Sequence, residues 1–200
     1  MSKINFIQIG ANIGNTSQDV IWKIVRKKKW NGIFIEPVPL SFEALKENYK
    51  DLTDSYFENV AILNHNAMVS IYTTRSDKND RQQASLKKTH WANDVEIRVP
   101  CMRLNDLVEK YGLTGVEFEL LQCDAEGVDD VILLDTDFTK VCPEKIRFEN
   151  VHIRGPKLQK VMQHLKSFGY VKVPDEYSDN VKSTEIGFDT MVQKIKTDGK

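Results

Sequence analysis

Residues 5–17, with the sequence NFIQIGANIGNTS, constrain the fold of this chain more than any other stretch. An apolar run at residues 4–9 is typical of a buried strand, and it ends in the turn GANIG at residues 10–14. A helix is predicted to begin directly afterwards, at Thr16 or Ser17. Because glycine lacks a Cβ atom and helix N-termini present free N–H groups, this stretch predicts a turn that a ligand can approach closely.

A second apolar run, at residues 31–37, ends in the carboxylate of Glu36. This acid lies roughly 20 residues after the glycine turn, where nucleotide-binding βαβ units place the acid that holds the ribose. Dinucleotide enzymes carry the pattern G-x-G-x-x-G, whose second glycine makes room for a pyrophosphate, and Asn12 occupies that place here. The residues therefore favour an adenosine ligand without a pyrophosphate, of which S-adenosylmethionine is the common example.

The composition is that of one globular domain spanning residues 1–200. Hydrophobic residues make up 40% and charged residues 28% of the 200 positions. The formal net charge of -1 gives no strong field that would attract nucleic acid or an anionic membrane. No apolar stretch approaches the ~18 residues that cross a bilayer. The three cysteines are widely spaced, which indicates reduced thiols: Cys101, Cys123 and Cys142. We therefore expect a cytoplasmic protein.

The order of the predicted elements, β-α-β-α from the N-terminus, favours a parallel α/β sheet with right-handed crossovers. Apolar periodicity predicts helices at residues 16–29, 41–50, 104–111, 131–134 and 156–168. It predicts strands at residues 4–9, 31–37, 55–63, 67–73, 95–100, 116–123, 145–150, 170–173 and 188–192.

Residues 74–94 form a predicted loop that is rich in charges and poor in apolar anchors. It is longer than most connections in compact domains. Two interpretations are open: a mobile surface insertion, or a lid that recruits the substrate. His90 and Trp91 are its large recognition-type side chains.

Ligands of open α/β sheets sit beyond the carboxyl ends of the strands. In this chain the residues that follow the apolar runs at such ends are 10–14, 36–37, 59–61, 124–127 and 149–152. Most of these sets contain an acid or an amide. We therefore expect them to line one crevice.

These pieces together resemble the FkbM-type family of S-adenosylmethionine-dependent methyltransferases. The matching runs, in the order of the family, are FIQIGANIG, IFIEPVPLSFEALKEN, NVAI, VPCMRLNDL, LLQCDAEGVDDVIL and RFENVH. They cover most of the chain from Phe6 to about His152. The most specific pieces are GANIG, E-P-x-P and D-x-E-G.

The resemblance implies a Rossmann-like class I methyltransferase domain. Its mostly parallel, seven-stranded sheet would have helices on both faces and an inserted hairpin or loop. The turn at 10–14 would hold the methionine end of S-adenosylmethionine, Glu36 the ribose, and residues 59–61 the adenine side. The full set of expected cofactor-binding residues is Gln8, Gly10, Ala11, Asn12, Gly14, Asn15, Glu36, Pro37, Asn59, Val60, Ala61, Asp124 and Ala125.

The chain departs from the family pattern at several positions. Gln8 stands where the family usually has Asp, and Gln122-Cys123 stand where it usually has Lys-Ile. The acid after Gly127 is Asp129 in place of the longer Glu. Gln8 can still accept a hydrogen bond from an ammonium group, but it supplies no charge.

The expected reaction is transfer of the methyl group to a hydroxyl of a sugar, a glycan or a small natural product. Such a reaction depends mainly on positioning, together with a base that removes the hydroxyl proton. The candidates for that base are Asp124, Glu126, Glu149 and His152. The chain lacks the Asn-Pro-Pro-Tyr and Asp-Pro-Pro-Tyr signatures of amino-directed nucleic-acid methyltransferases.

A magnesium ion is a further hypothesis. Asp124 follows one strand, and Glu149 and Asn150 follow the next, which is the acid and acid–amide arrangement that catechol-type O-methyltransferases use. Three oxygen ligands would suit Mg²⁺, and the ion would lower the pKa of the acceptor hydroxyl. Without a metal, the same carboxylates would act as acid–base groups.

Two other classes of function stay open from the residues alone. One is a nicotinamide-dependent oxidoreductase, which the missing G-x-G-x-x-G disfavours. The other is a catalytically silent cofactor-binding module, which Gln8 and Gln122 make plausible.

Overall fold

The computed structural model describes residues 3–16, 19–73, 84–88, 95–177 and 189–195. The helices in this part of the chain are α1 (Val20–Lys28), α2 (Pro39–Asn48), α3 (Leu104–Lys110), α4 (Asp129–Asp135) and α5 (Pro156–Ser167). The strands are β1 (Phe6–Ile9), β2 (Gly32–Ile35), β3 (Tyr56–Glu58), β4 (Ala61–Ile62), β5 (Ala67–Thr73), β6 (Ala84–Ser85), β7 (Val95–Met102), β8 (Glu117–Cys123), β9 (Cys142–Glu149), β10 (Tyr170–Val173) and β11 (Asp189–Lys194). Each predicted helix therefore has a counterpart, with bounds shifted by a few residues.

Seven strands form the main sheet, in the order β10-β11-β9-β8-β1-β2-β3. Strands β9, β8, β1, β2 and β3 pair in parallel. Strand β11 runs antiparallel to both of its neighbours, so the sheet is mixed. This architecture is consistent with the Rossmann-like methyltransferase fold that the resemblance implies.

A second sheet has the order β4-β7-β5-β6. The predicted strands at residues 67–73 and 95–100 are its antiparallel pair β5 and β7, but their assembly with β4 and β6 into a separate sheet was not predicted. The sequence predicted one strand at residues 55–63, and this prediction is wrong, because β3 belongs to the main sheet and β4 to the second. The chain leaves the main sheet at Asn59, whose side-chain amide donates to the carbonyl oxygens of Glu36 and Pro37 at 2.8 and 3.1 Å. These bonds take the place of further strand pairing and direct the chain into β4.

Helices cover both faces of the main sheet, as predicted. Successive residues of a strand point to opposite faces, so that Phe6 and Phe34 pack with α1 and α2 whereas Ile7 and Ile33 pack with α3, α4 and α5. All four side chains are fully buried. The strands of the centre are therefore apolar on both sides, as a sheet between two helical layers requires.

Helix α1 begins later than predicted. Its N-cap is Asp19, whose carboxylate accepts from the backbone N–H groups of Ile21 and Trp22 at 2.8 and 3.4 Å. The predicted N-cap at Thr16 is wrong, and Ser17 lies outside the described residues. An aspartate that can reach two N–H groups is as good an N-cap as serine or threonine, so the helix starts at Val20.

The predicted loop at residues 74–94 lies largely outside the described residues, and so do His90 and Trp91. Its described part, residues 84–88, contains β6, which pairs with Tyr72 and Thr73 of β5. Leu86 packs against the core of the second sheet. This part of the stretch is therefore anchored in a sheet.

All three cysteines carry free thiols: Cys101 and Cys123 are buried and Cys142 is half-buried. Among the described residues, no helix has the length and apolarity needed to cross a membrane.

Candidate functional site

The glycine turn joins the carboxyl ends of three strands. The N–H groups of Gly10 and Ala11 donate to the carbonyl oxygen of Ile35 at 3.0 and 2.9 Å. Gly10 has a φ of +76°, and a Cβ atom there would collide with the carbonyl oxygen of Asp124. Glycine is thus required at this position both by its positive φ and because the ends of β1 and β8 approach each other closely, a contact that the sequence did not indicate.

Gly14 allows the glycine turn to pack against α2. Its φ is +78°, and a Cβ atom there would lie 2.6 Å from Cδ1 of Leu45 and would overlap the ring of Tyr49. Both residues belong to the region of α2, so Gly14 lets the turn lie directly on that helix.

Glu36 is the central acid of the site. It is 5% exposed, and its two carboxylate oxygens accept from the N–H groups of Asn12 and Val38, each at 2.8 Å. Burial, together with a smaller effect of the nearby charge of Glu126, raises the pKa of Glu36 to about 7 against the effect of these two hydrogen bonds. Glu36 therefore holds the glycine turn in place with one oxygen and the start of α2 with the other.

A cavity of about 300 Å³ opens beside these residues. Its polar wall comes from the strand ends and the start of α1: Gln8, Asn12, Thr16, Asp19, Glu36, Gln122, Asp124, Glu126 and Arg147. Its apolar wall comes mainly from the second sheet and the residues beside it: Val60, Ala61, Ile62, Leu63, Ile71, Ala84 and Leu86. A cavity with an apolar wall and a few convergent polar groups is typical of a small-molecule site.

Most of the predicted cofactor-binding residues line this cavity: Gln8, Gly10, Ala11, Asn12, Glu36, Pro37, Val60, Ala61, Asp124 and Ala125. Three of the predicted residues are not part of its lining. Gly14 packs against α2, Asn15 is exposed, and Asn59 fixes the backbone of Glu36 and Pro37. The residues that the sequence did not indicate include Asp19, Arg147 and the second-sheet wall around Ile71.

The acidic turn after β8 is held by Asp129, which is 1% exposed. Its carboxylate accepts from the N–H group of Ala125 at 3.3 Å. Glu126 has a φ of +51°, an uncommon value for a residue with a side chain. The turn is therefore constrained, and it presents Asp124 and Glu126 to the cavity.

Three of the four predicted catalytic residues converge. One oxygen or nitrogen atom each of Glu126, Glu149 and His152 lies within 4.8 Å of the others. Asp124 lines the cavity nearby, and burial followed by the charge of Glu149 raises the pKa of Asp124 to about 8. Burial, and then the charge of Glu126, raises the pKa of Glu149 to about 7. Glu149 in the cluster and Asp124 beside it therefore have pKa values near neutral pH.

The predicted metal ligands were Asp124, Glu149 and Asn150. The side-chain nitrogen of Asn150 donates to the hydroxyl of Thr190 at 2.8 Å. The Asp, Glu and His side chains that converge in the described part of the chain are Glu126, Glu149 and His152. Only Glu149 is common to the two sets.

The stability of the ligand-free protein should depend on pH through Glu36. Its pKa is about 7 in the folded protein and 4.5 as an unperturbed group. In the range between these values the folded protein holds a proton that the unfolded chain has released, so stability falls as pH rises. We expect Glu36 to lower the free energy of unfolding by about 1 kcal/mol between about pH 6 and about pH 8.

Urea denaturation across this pH range measures the effect. The Glu36→Gln variant has no titrating group at this position, so its stability should fall less steeply with pH. An equal slope in the parent and the variant would show that Glu36 does not titrate in this range.

One family model, described as the methyltransferase FkbM domain, matches residues 8–172. The matched range begins in β1 and ends in β10, so it includes the glycine turn, Glu36 and the acidic cluster. A search of curated proteins gives no match. The resemblance found in the sequence is confirmed: the chain belongs to the methyltransferase FkbM domain family.

Proposed function

We propose that this protein is an S-adenosylmethionine-dependent methyltransferase that acts on a hydroxyl group of a sugar, a glycan or a small natural product. The observation that carries the proposal is the cavity that joins Glu36, at the end of β2, to Asp124 and Glu126 after β8. Family membership supports methyl transfer as the type of reaction.

The residues of the cavity fit the proposed cofactor. The carboxylate of Glu36 keeps lone pairs that can accept from ribose hydroxyls in addition to the N–H groups of Asn12 and Val38. The apolar wall around Ile62 and Ile71 suits a purine ring. The side-chain oxygen of Gln8 is buried without a hydrogen-bond partner, as expected for a group that awaits a polar ligand. S-adenosylmethionine supplies an electrophilic methyl group when it is bound.

The acidic cluster would then handle the proton of the acceptor. A general base works best when its pKa lies near the operating pH, and the pKa of Glu149 is raised to about 7. Glu126 and His152 each have an oxygen or nitrogen atom within 4.8 Å of one on Glu149, so they would flank this base. Asp124 lines the cavity itself and is placed to hold the acceptor or the cofactor. The side-chain oxygen Oε2 of Glu149 is buried without a hydrogen-bond partner, and Glu149 itself is not one of the described residues that line the cavity.

Two measurements test the proposal. Isothermal titration with S-adenosylmethionine, S-adenosylhomocysteine and NAD should show binding of the first two ligands only; binding of NAD alone would favour an oxidoreductase. Labelled S-adenosylmethionine with a panel of hydroxylated sugars and metabolites should show turnover. Tight S-adenosylhomocysteine binding without turnover on any acceptor would favour a silent binding module. The same assay in EDTA tests the magnesium hypothesis, since full activity in chelator would end it.

Replacing Glu36 by alanine should weaken S-adenosylmethionine binding by about 1.5–3 kcal/mol, the scale of hydrogen bonds to a charged group. The structure adds a second effect. The N–H groups of Asn12 and Val38 lose their acceptor, so the free energy of unfolding should fall by about 1–3 kcal/mol as well. Titration calorimetry well below the unfolding temperature of the variant measures the binding effect.

Glu58→Ala is the matched control. Glu58 ends the neighbouring strand β3, is hydrogen bonded to Lys110 and Tyr111, and is not among the lining residues of the cavity. Its loss should lower stability without changing cofactor affinity. If Glu36→Ala binds the cofactor as tightly as the parent, Glu36 does not hold the ribose.

A further inference from the structure

Two acceptor atoms without partners belong to two residues that contact each other in the wall of the cavity. Gln8 is 5% exposed, and its side-chain oxygen Oε1 is buried and unpaired. Asp19 lines the same cavity, and its oxygen Oδ2 is also buried and unpaired. Buried polar atoms are nearly always hydrogen bonded, so two unpaired acceptor atoms in residues that line one cavity indicate a missing donor.

The orientation of the two side chains follows from their contact. The amide nitrogen of Gln8 donates to Oδ1 of Asp19 at 3.2 Å. The same oxygen accepts from the N–H groups of Ile21 and Trp22 at the start of α1. With the described residues, all the side-chain hydrogen bonds of Asp19 thus go to Oδ1, while its Oδ2 and the Oε1 of Gln8 have no partner.

The surrounding charges do not neutralise Asp19. Among the described residues that line the cavity, the cation is Arg147, and its guanidinium already binds Asp175, Asp189 and Gln122 at 2.9, 2.7 and 3.2 Å. Burial raises the pKa of Asp19 to about 6, against the hydrogen bonds that it accepts and the charge of Arg147. A bound cation would remove the cost of burying this carboxylate.

We propose that Asp19 and Gln8 together bind the α-ammonium group at the methionine end of S-adenosylmethionine, with Asp19 supplying the negative charge that Gln8 lacks. This assignment rests on the proposed function. An ammonium group has three N–H donors, which suits one carboxylate oxygen and one amide oxygen on two side chains that are in contact. The hydrogen bond to Asp19 is charge-assisted, and such bonds are about twice as strong as neutral ones. Asp19 is therefore a residue that decides whether the ligand must carry an amino group.

The experiment compares ligands that differ in this group alone. S-adenosylhomocysteine carries the α-ammonium, and its analogue with a hydroxyl in that place does not. The parent should bind S-adenosylhomocysteine about 10–100-fold more tightly than the hydroxyl analogue. In the Asp19→Asn variant this preference should disappear, because asparagine keeps the N-cap but has no charge. Titration calorimetry with both ligands and both proteins gives the four dissociation constants.

A second variant and a third ligand complete the test. The double variant with Gln8→Glu and Asp19→Asn restores one carboxylate and should recover part of the preference. 5′-Methylthioadenosine, which lacks the whole amino-acid end, should bind the parent and Asp19→Asn equally.

The inference is overturned if Asp19→Asn keeps the full preference, or if it loses affinity equally for all three ligands. A parent that binds none of the three would overturn the proposed function and this inference with it. If Asp19→Asn does not fold, the parent alone still tests the inference. Equal affinity of the parent for S-adenosylhomocysteine and its hydroxyl analogue would contradict an ammonium site.

Discussion

Replacing Gly10 by alanine should lower the free energy of unfolding by about 4 kcal/mol. Two costs add at this position. The φ of +76° is unfavourable for any residue with a Cβ atom, by about 1–2 kcal/mol. The new Cβ atom would also collide with the carbonyl oxygen of Asp124, so β1 and β8 would have to move apart. Losses above about 4 kcal/mol are rare and come from such mechanisms.

Gly112→Ala is the control for this experiment. Gly112 has a φ of +62°, and a Cβ atom there would have no heavy atom within 4 Å. Its substitution should lower the free energy of unfolding only by the cost of the unfavourable φ, about 1–2 kcal/mol. Urea denaturation followed by circular dichroism gives both values. If the two variants lose the same stability, the close approach of the strand ends contributes nothing.

Replacing Arg147 by methionine should cost about 3–5 kcal/mol of stability, the scale of breaking a buried ion pair by removing one partner. Arg147 is 8% exposed, and its three nitrogens bind Asp175, Gln122 and Asp189. Methionine keeps much of the side-chain volume but leaves the two aspartates without their cation. The loss should therefore come from uncompensated charge, and thermal or urea denaturation measures it.

Arg103 offers a comparison with similar geometry and different exposure. Its guanidinium binds Asp135 through two nitrogens, at 2.9 and 3.1 Å, but its side chain is 41% exposed. Water screens such a pair, so Arg103→Met should cost only a small part of what Arg147→Met costs. Equal losses in the two variants would show that burial is not the reason for the effect at Arg147.

The part of the site that could be predicted from the sequence is the part built by local pattern. An apolar strand, a glycine turn and a strand ending in an acid form one βαβ unit, so residues close in sequence placed Gly10, Asn12 and Glu36 at one cavity. The atom that approaches Gly10 most closely nevertheless belongs to Asp124, far along the chain, and this contact could not be predicted from the turn alone. Sequence pattern shows that a glycine is needed but not what lies against it.

The second sheet could not be predicted for the same reason. A single run at residues 55–63 looks like one strand, and only the amide of Asn59 and the pairing of β4 with β7 divide it. Arg147 was overlooked because an arginine inside an apolar strand acquires its aspartate partners through tertiary contacts. Asp19 was overlooked because Thr16 and Ser17 precede it and are equally good N-caps by pattern.

The walls of the cavity come from segments that are far apart along the chain, and this has a consequence for the order of folding. Strand β1 must meet β8, and β4 must meet β7, before the cavity exists. Closing such long stretches of chain costs entropy before any contact repays it. The βαβ unit of β1, α1 and β2 needs no such closure and can form early. We therefore expect the cavity to be completed late in folding. A ligand would then not affect the early folding steps and would stabilise only the folded protein.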